Sequence, residues 1–285
     1  MIGSMKIKVA EIFYSIQGEG RFAGVPSVFL RTFGCNFQCR GFGMARGERT
    51  TEPEKIAENV DQYKNYEDLP LSPTGCDSYA SWHPAFKKFS PMLETSEIAD
   101  RMHNMIPMNM WKQPNGADVH LVVTGGEPLL GWQKAFNEVF DDCIDKGLHY
   151  ITFETNGTQK LHPEMKAYLD DHDYDVTFSV SAKLPVSGEK WEDAIKPDNI
   201  LEYAEIGTPY LKFVTATEQD VEDVDRAVVE YRNAGFEGDV FIMPVGGLPD
   251  DYHLNTKNVA ELAMQRGYKY SPRLQVDIWR NEWGT

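Results

Sequence analysis

The alternation of strand-like and helix-like segments limits this chain more than any other feature. His120-Leu121-Val122-Val123-Thr124 is a short apolar run followed by two glycines, the pattern of a buried parallel strand. Just beyond it, Trp132, Ala135, Phe136, Val139, Phe140, Cys143 and Ile144 recur at spacings of three and four, one stripe of an amphipathic helix. Further strand-like runs, rich in β-branched and aromatic residues, are Val9–Tyr14, Ser27–Arg31, Tyr150–Phe153, Val176–Val180, Tyr210–Val214 and Asp239–Met243. Gln17-Gly18-Glu19-Gly20 reads as a turn. A second amphipathic helix places Val221, Val224, Ala227, Val228 and Tyr231 on one face and stops near Gly235; a third runs from Asn258 to Arg266 and ends at Gly267. Repeated strand–helix units predict an α/β fold with a parallel sheet and helices packed outside it. In such folds sites form at the carboxyl ends of the strands, here just after Thr124, Phe153, Val180, Val214 and Met243.

The length of 285 residues suits one α/β domain of roughly 200–250 residues plus an insertion. Apolar residues at 41% and charged residues at 25% exclude disorder, collagen and coiled coil as overall descriptions. A net charge of −16 and no run of four Lys or Arg argue against direct binding to nucleic acid or to an anionic membrane. No stretch approaches the roughly 20 apolar residues that span a bilayer, and the start has no signal-peptide core. The expected location is therefore the reducing cytoplasm, where paired cysteines more often hold metal or do redox work than cross-link. Residues 1–4 read as a cloning remnant before a natural start at Met5. Residues 43–75 break the rhythm. They are polar, with a possible short helix over 53–63, and read as a surface insertion, which chain entropy tolerates well.

Cys35 and Cys39 form a Cys-x3-Cys pair after a predicted strand. The spacing is either coincidence or a loop that sets two thiolates around a soft metal. Zinc would want four nitrogen or sulfur ligands, whereas an iron–sulfur cluster can use three thiolates and leave one iron open. Cys143 lies on an apolar helix stripe and reads as a small core hydrophobe. Cys76, in Thr74-Gly75-Cys76-Asp77-Ser78, is a third ligand or a loop thiol. Thr124-Gly125-Gly126-Glu127-Pro128 is an ordinary strand-to-helix turn or a place where a ligand approaches a backbone that lacks Cβ atoms.

Together these motifs resemble those of radical S-adenosylmethionine (SAM) enzymes, which typically hold a 4Fe–4S cluster by Cys-x3-Cys-x2-Cys and bind SAM at the fourth iron. This sequence departs at the third position, where Phe42 stands. Cys76-Asp77-Ser78 resembles the Cys-Asp-Thr/Ser that closes the motif, giving Cys-x3-Cys-x36-Cys with the 43–75 insertion inside the cluster loop. Gly-Gly-Glu-Pro resembles the superfamily's SAM-ammonium motif. A narrower resemblance covers nearly the whole chain outside 43–75. Glu11–Gly20, Gly24-Val25-Pro26, Arg31-Thr32-Phe33-Gly34-Cys35, Glu154–Thr158, Lys196–Ile200, Tyr270–Leu274 and Trp283-Gly284-Thr285 look like the 7-carboxy-7-deazaguanine synthase family.

That resemblance implies a single radical SAM domain over 5–285, an incomplete (β/α) barrel with a polar insertion in the cluster loop. It implies a carbon–nitrogen lyase that contracts 6-carboxy-5,6,7,8-tetrahydropterin to 7-carboxy-7-deazaguanine with loss of ammonia, in 7-deazapurine (queuosine-type) biosynthesis. The radical comes from SAM cleaved by the reduced cluster, and the chemistry is the cofactor's, with no protein residue expected to act beyond positioning. Cys35, Cys39 and Cys76 would hold the cluster. Ser78 would hold Mg2+, unless it is a solvated loop hydroxyl. Ile16, Gln17, Gly18, Arg31, Thr124 and Thr285 would meet the pterin, with Arg31 pairing its carboxylate unless it is an outward strand charge. Gly126, Ser181-Ala182-Lys183 and Met243-Pro244-Val245-Gly246 would line SAM; Ala182 replaces the family's usual proline. A homodimer and an external, flavodoxin-like electron donor are family expectations. The competing readings are another radical SAM enzyme, such as a glycyl-radical activase, or a cluster-binding protein without catalysis.

Overall fold

The parallel strands are largely apolar runs, and because successive side chains point to opposite faces, one face of the sheet packs on the helices and the other lines a cavity. The computed structural model describes residues 4–285, so of the expected cloning remnant only Ser4 lies within the described residues. The elements, in chain order, are β1 (Lys6–Ile16), β2 (Pro26–Thr32), α1 (Glu52–Ala57), β3 (Met92–Glu94), α2 (Thr95–Met105), β4 (His120–Gly125), α3 (Gln133–Ile144), β5 (Tyr150–Thr155) and α4 (Pro163–Asp171). They continue with β6 (Asp175–Val180), α5 (Trp191–Ala194), α6 (Pro197–Ala204), β7 (Thr208–Thr215), α7 (Glu218–Ala234), β8 (Val240–Pro244), α8 (Pro249–Arg266), β9 (Lys269–Tyr270) and α9 (Leu274–Trp279).

The strand order is β3-β1-β2-β4-β5-β6-β7-β8-β9, with β3 and β9 at the two edges of an open sheet. From β2 to β9 every pairing is parallel, as the strand–helix alternation predicts. The all-parallel expectation is corrected at β1, which runs antiparallel to both β2 and β3. Only residues 17–25 separate β1 from β2, too short for a parallel crossover of a dozen or more residues.

Leu121, Val123, Ile151, Phe153, Phe178, Leu211, Phe213 and Ile242 belong to the main core, packed with α3 and α7 residues such as Phe136, Phe140, Val221 and Val224. Cys143 is fully buried in that core, as its place on the helix stripe predicts. Each such residue buried adds about 1.5–3 kcal/mol of transfer free energy. The alternate positions Phe13, Phe29, Arg31, Thr124, Glu154, Ser179, Lys212 and Met243 face a cavity instead.

Two corrections concern extent. Helix α8 begins at Pro249, well before the expected Asn258. Its first half lacks an apolar stripe, and Leu254 is 80% exposed, but Pro at the first helical position was a readable start signal. The 43–75 segment is not only surface. Ile56, Tyr66 and Leu69 bury into a second small core with Tyr79, Ala80, Trp82 and Phe86.

The sheet wraps far enough for its ends to be bridged. Gly20 N–H donates to Ser271 Oγ at 2.8 Å, Leu274 N–H donates to Gly18 O at 3.1 Å, and Arg21 pairs with Asp239 at 3.3 Å. Among the described residues no helix is long and apolar enough to cross a membrane.

Candidate active site

The three candidate cysteines meet although 36 residues separate the second from the third. Thr50 N–H donates to Arg40 O at 2.8 Å and Gly75 N–H donates to Phe42 O at 2.7 Å, while Thr74 Oγ1 donates to Thr50 Oγ1 at 2.7 Å. The ends of the insertion are thereby pinned together, and Cys76 follows directly from the strut at Phe42, the position where the motif's usual third cysteine is missing. Cys35, Cys39 and Cys76 all line one solvent-open cavity. Phe37 and Ala194 form the small apolar cluster around Cys39, with Cys35, Phe42 and Cys76 packed against it.

Cys39 adopts a left-handed backbone, φ 50°, which a non-glycine residue holds only when its surroundings dictate it. Glu189 supplies that constraint: its Oε1 accepts the N–H of Cys39 at 2.8 Å and of Gln38 at 2.9 Å. Burial pushes the Cys35 thiol up to about 12, and raises Cys39 and Cys76 as well. Thiolates at this place therefore need a cation to stay ionised. Among the described residues no three His, Cys, Asp or Glu are close enough to hold a single metal ion. Three thiols that line one cavity and whose charges would act on one another fit the three-thiolate donor set of an iron–sulfur cluster.

Gly126 sits against the first cysteine. A Cβ there would lie 2.4 Å from Gly34 O and 2.8 Å from Cys35 Cβ, so any side chain would displace the cluster loop. Glu127, fully buried, does not face the cavity; it ties β4 to β5. It accepts from Asn156 N–H at 2.6 Å, Thr155 Oγ1 at 2.8 Å and Leu129 N–H at 3.0 Å. Burial raises its carboxyl to about 6, and those donors limit the rise.

A ladder of charges crosses the cavity floor. Arg273 Nη2 donates to Asp77, next to Cys76, and its Nη1 donates to Gly246 O. Arg273 Nε donates to Glu19 Oε1 at 3.1 Å, and Gln275 Nε2 donates to the same oxygen at 2.7 Å. Lys212 Nζ donates to Glu19 Oε2 at 2.6 Å and lies 3.9 Å from Glu154 Oε1. Glu154 in turn accepts from Thr124 Oγ1 at 3.0 Å and Gln17 Nε2 at 3.2 Å. Burial alone would raise Glu19; Lys212 and Arg273 outweigh it and hold its carboxyl down to about 2.

Of the residues expected at the site, Ile16, Gln17, Gly18, Arg31, Thr124, Thr285, Gly126, Ser181, Lys183, Met243, Val245, Gly246 and Ser78 all line the cavity with the cysteines. Ala182 and Pro244 do not. Ala182 packs into the main core, and Pro244 continues the ladder between β8 and β7 opposite Thr215. Arg31 is not free: its Nε donates to Glu11 Oε2 at 2.8 Å. Burial raises the Glu11 carboxyl, and the Arg31 charge offsets part of the rise. Ser179 Oγ and Gln275 Oε1, both on the cavity lining, are buried without a hydrogen-bond partner, which fits a polar ligand beside them.

The chain is 31% identical over 296 residues to a 7-carboxy-7-deazaguanine synthase of Halobacterium salinarum, covering 96% of this chain and 91% of that protein. It belongs to the 7-carboxy-7-deazaguanine synthase family. A 7-carboxy-7-deazaguanine synthase of Pyrobaculum aerophilum is 27% identical, over 100% of both chains. No family model matches. Among solved structures, the crystal structure of QueE from Escherichia coli superposes with a TM-score of 0.53 at 17% identity, over 93% of each chain, and shares the fold.

Several residues built into the site were missed by sequence reasoning. Glu11, Glu19, Lys212 and Arg273 are built into the cavity, and Glu189 braces it from the loop beyond β6. Glu19 and Arg273 lay inside quoted stretches, Gln-Gly-Glu-Gly and Ser-Pro-Arg-Leu. A charge inside a turn otherwise rich in small residues was the available signal. Glu189 had none.

Proposed function

We propose that this chain converts 6-carboxy-5,6,7,8-tetrahydropterin to 7-carboxy-7-deazaguanine with loss of ammonia, as a radical SAM carbon–nitrogen lyase of 7-deazapurine biosynthesis. The observation that carries the reading is the convergence of Cys35, Cys39 and Cys76 beside Gly126 in a cavity also lined by Gln17 and Arg31. In this reading residues 5–285 form one radical SAM domain with 43–75 inserted in the cluster loop.

Cys35, Cys39 and Cys76 hold the 4Fe–4S cluster in this proposal. Gly126, the 181–183 turn and the 243–246 turn hold SAM, and Ser78 offers Mg2+ a hydroxyl oxygen, the hard donor that ion takes. When bound, the reduced cluster and SAM supply the radical that removes a hydrogen from the pterin. The chain's own residues bind and orient. With Nε fixed by Glu11, the Arg31 guanidinium makes no other hydrogen bond among the described residues, and its remaining N–H groups suit a carboxylate. Thr124 is held by Glu154, which fixes its hydroxyl hydrogen and leaves the oxygen's lone pairs for substrate. Lys212 and Arg273 offset most of the negative charge of Glu19, Glu154 and Asp77 on the deep floor. We also propose a homodimer, a flavodoxin-like electron donor and a cytoplasmic location, consistent with the reduced thiols that the cluster needs.

The test is anaerobic reconstitution with iron and sulfide, then addition of SAM, reductant, Mg2+ and carboxytetrahydropterin, with detection of the deazaguanine by mass. A cluster and the product are the expected outcome. Failure to assemble a cluster, or SAM cleavage without the deazaguanine, would sink the proposal.

A further inference from the structure

The 43–75 insertion has no part in the chemistry just described, yet it touches the far wall of the same cavity. Trp283 Nε1 donates to Leu69 O at 2.7 Å. The Trp283 ring meets Tyr66 edge-on at 5.0 Å and Tyr79 edge-on at 6.1 Å. Tyr79 OH in turn donates to Pro70 O at 2.6 Å, so the carbonyls of two successive insertion residues are held in place. On its other side the 281–285 segment is tied by Asn281 Nδ2, which donates to Gly247 O at 2.8 Å. Asn281, Glu282, Trp283, Gly284 and Thr285 all line the cavity, and the Gly284 N–H lies beside the Glu11 carboxylate that holds Arg31. Tyr66 is 4% exposed, and its hydroxyl lies near enough to Glu11 and Arg31 to feel both charges.

We infer that the insertion is a seat: Tyr66 and Leu69 grip Trp283 and thereby hold the 281–285 segment against the Glu11–Arg31 pair at the pterin end of the cavity. Trp283 is a positioning residue, acting through Gly284 and Thr285. An aromatic ring fixed on three sides carries more positioning energy than a solvated loop, because few rotamers remain to be ordered when substrate arrives. The inference rests on the pterin reading for the ligand, but not for the seat.

Trp283→Ala and Trp283→Phe test it, in the full chain with its cluster reconstituted. Two readouts are taken: hydrogen exchange over 63–70 and 281–285, and equilibrium binding of carboxytetrahydropterin without reductant. Trp283→Ala is expected to keep its iron and sulfide content, to lose exchange protection in both segments, and to bind the pterin about tenfold more weakly. Trp283→Phe keeps a six-membered aromatic ring but loses the pyrrole half and the bond to Leu69 O, so a smaller weakening, about threefold, is expected. Unchanged exchange over 63–70 in Trp283→Ala would overturn the seat. So would pterin affinity that is unchanged, or that falls only in proportion to lost iron. If the native chain binds no pterin at all, the functional reading fails instead, and the exchange readout alone decides the seat.

Discussion

Arg273 Nε donates to Glu19 Oε1 at 3.1 Å, although 254 positions separate the two residues. The same guanidinium also holds Asp77, so it clamps the loop that carries Cys76 to the turn that follows β1. Lysine offers one point charge in place of a fork and cannot make these bonds together. Arg273→Lys is therefore expected to lower the iron bound per chain, and Arg273→Ala to lower it further. Arg273→Ala should also destabilise the fold by about 3–5 kcal/mol, because Glu19 loses a buried partner. Iron and sulfide analysis beside urea unfolding measures both. Native iron content in Arg273→Ala would refute the clamp.

The cysteines separate cleanly. Cys76→Ala is expected to abolish the visible thiolate–iron absorbance after reconstitution, as Cys35→Ala and Cys39→Ala should. Cys143→Ala is expected to keep that absorbance and to lose about 1–2 kcal/mol of stability from a fully buried core position. A Cys76→Ala protein with a full cluster would remove Cys76 from the ligand set.

Gly126→Ala places a methyl group 2.8 Å from Cys35 Cβ and 2.4 Å from a backbone carbonyl, neither of which can move without shifting the cluster loop. SAM affinity is expected to fall by more than tenfold, read by equilibrium dialysis against labelled SAM. Retained affinity would mean that this turn is structural only.

Glu19 predicts an acid-sensitive site. Its carboxyl, ordinarily near 4.5, is held down to about 2 in the folded chain. Stabilisation from its ionised form is thus fully present above pH 4.5 and lost as pH falls through about 2. That loss amounts to about 3 kcal/mol. Urea unfolding between pH 5 and 2 should show this fall in the native chain and a flatter profile in Glu19→Gln. The variant's stability should also be lower at pH 7, where Lys212 and Arg273 keep buried charges without their shared partner. Parallel profiles for the two proteins would refute the assignment.

The parallel strands β4 to β8 were legible because each is an apolar run bounded by turn residues, and a buried strand can be written in few other ways. The antiparallel direction of β1 was not legible in periodicity. It lies in the shortness of the 17–25 connection, a matter of reach and not of residue type. Cys35-x3-Cys39 and Gly-Gly-Glu-Pro were legible because each is a compact motif, and Cys76 only through the Cys-Asp-Ser that follows its turn; the fold brings all three cysteines to one cavity. Glu189 and the Arg273–Glu19–Lys212 ladder were not, since each pairing depends on strands and loops brought together from distant sequence. The insertion was misjudged for a related reason. Ile56, Tyr66 and Leu69 follow no helical or strand period, so their burial shows only when Trp283 is set against them.

The contacts of the 17–20 turn with Ser271, Arg273 and Leu274 bear on how the protein is made. A nascent chain presents Cys35, Cys39 and Cys76 well before Ser271, Arg273 and Leu274, which help close their cavity. Such long-range pairing makes folding slow and leaves partly finished chains exposed. Until those residues emerge, each molecule carries three unprotected thiols and no completed pocket. In the proposed function, cluster assembly would follow the closure made by these residues, and production under air should damage the newest molecules first.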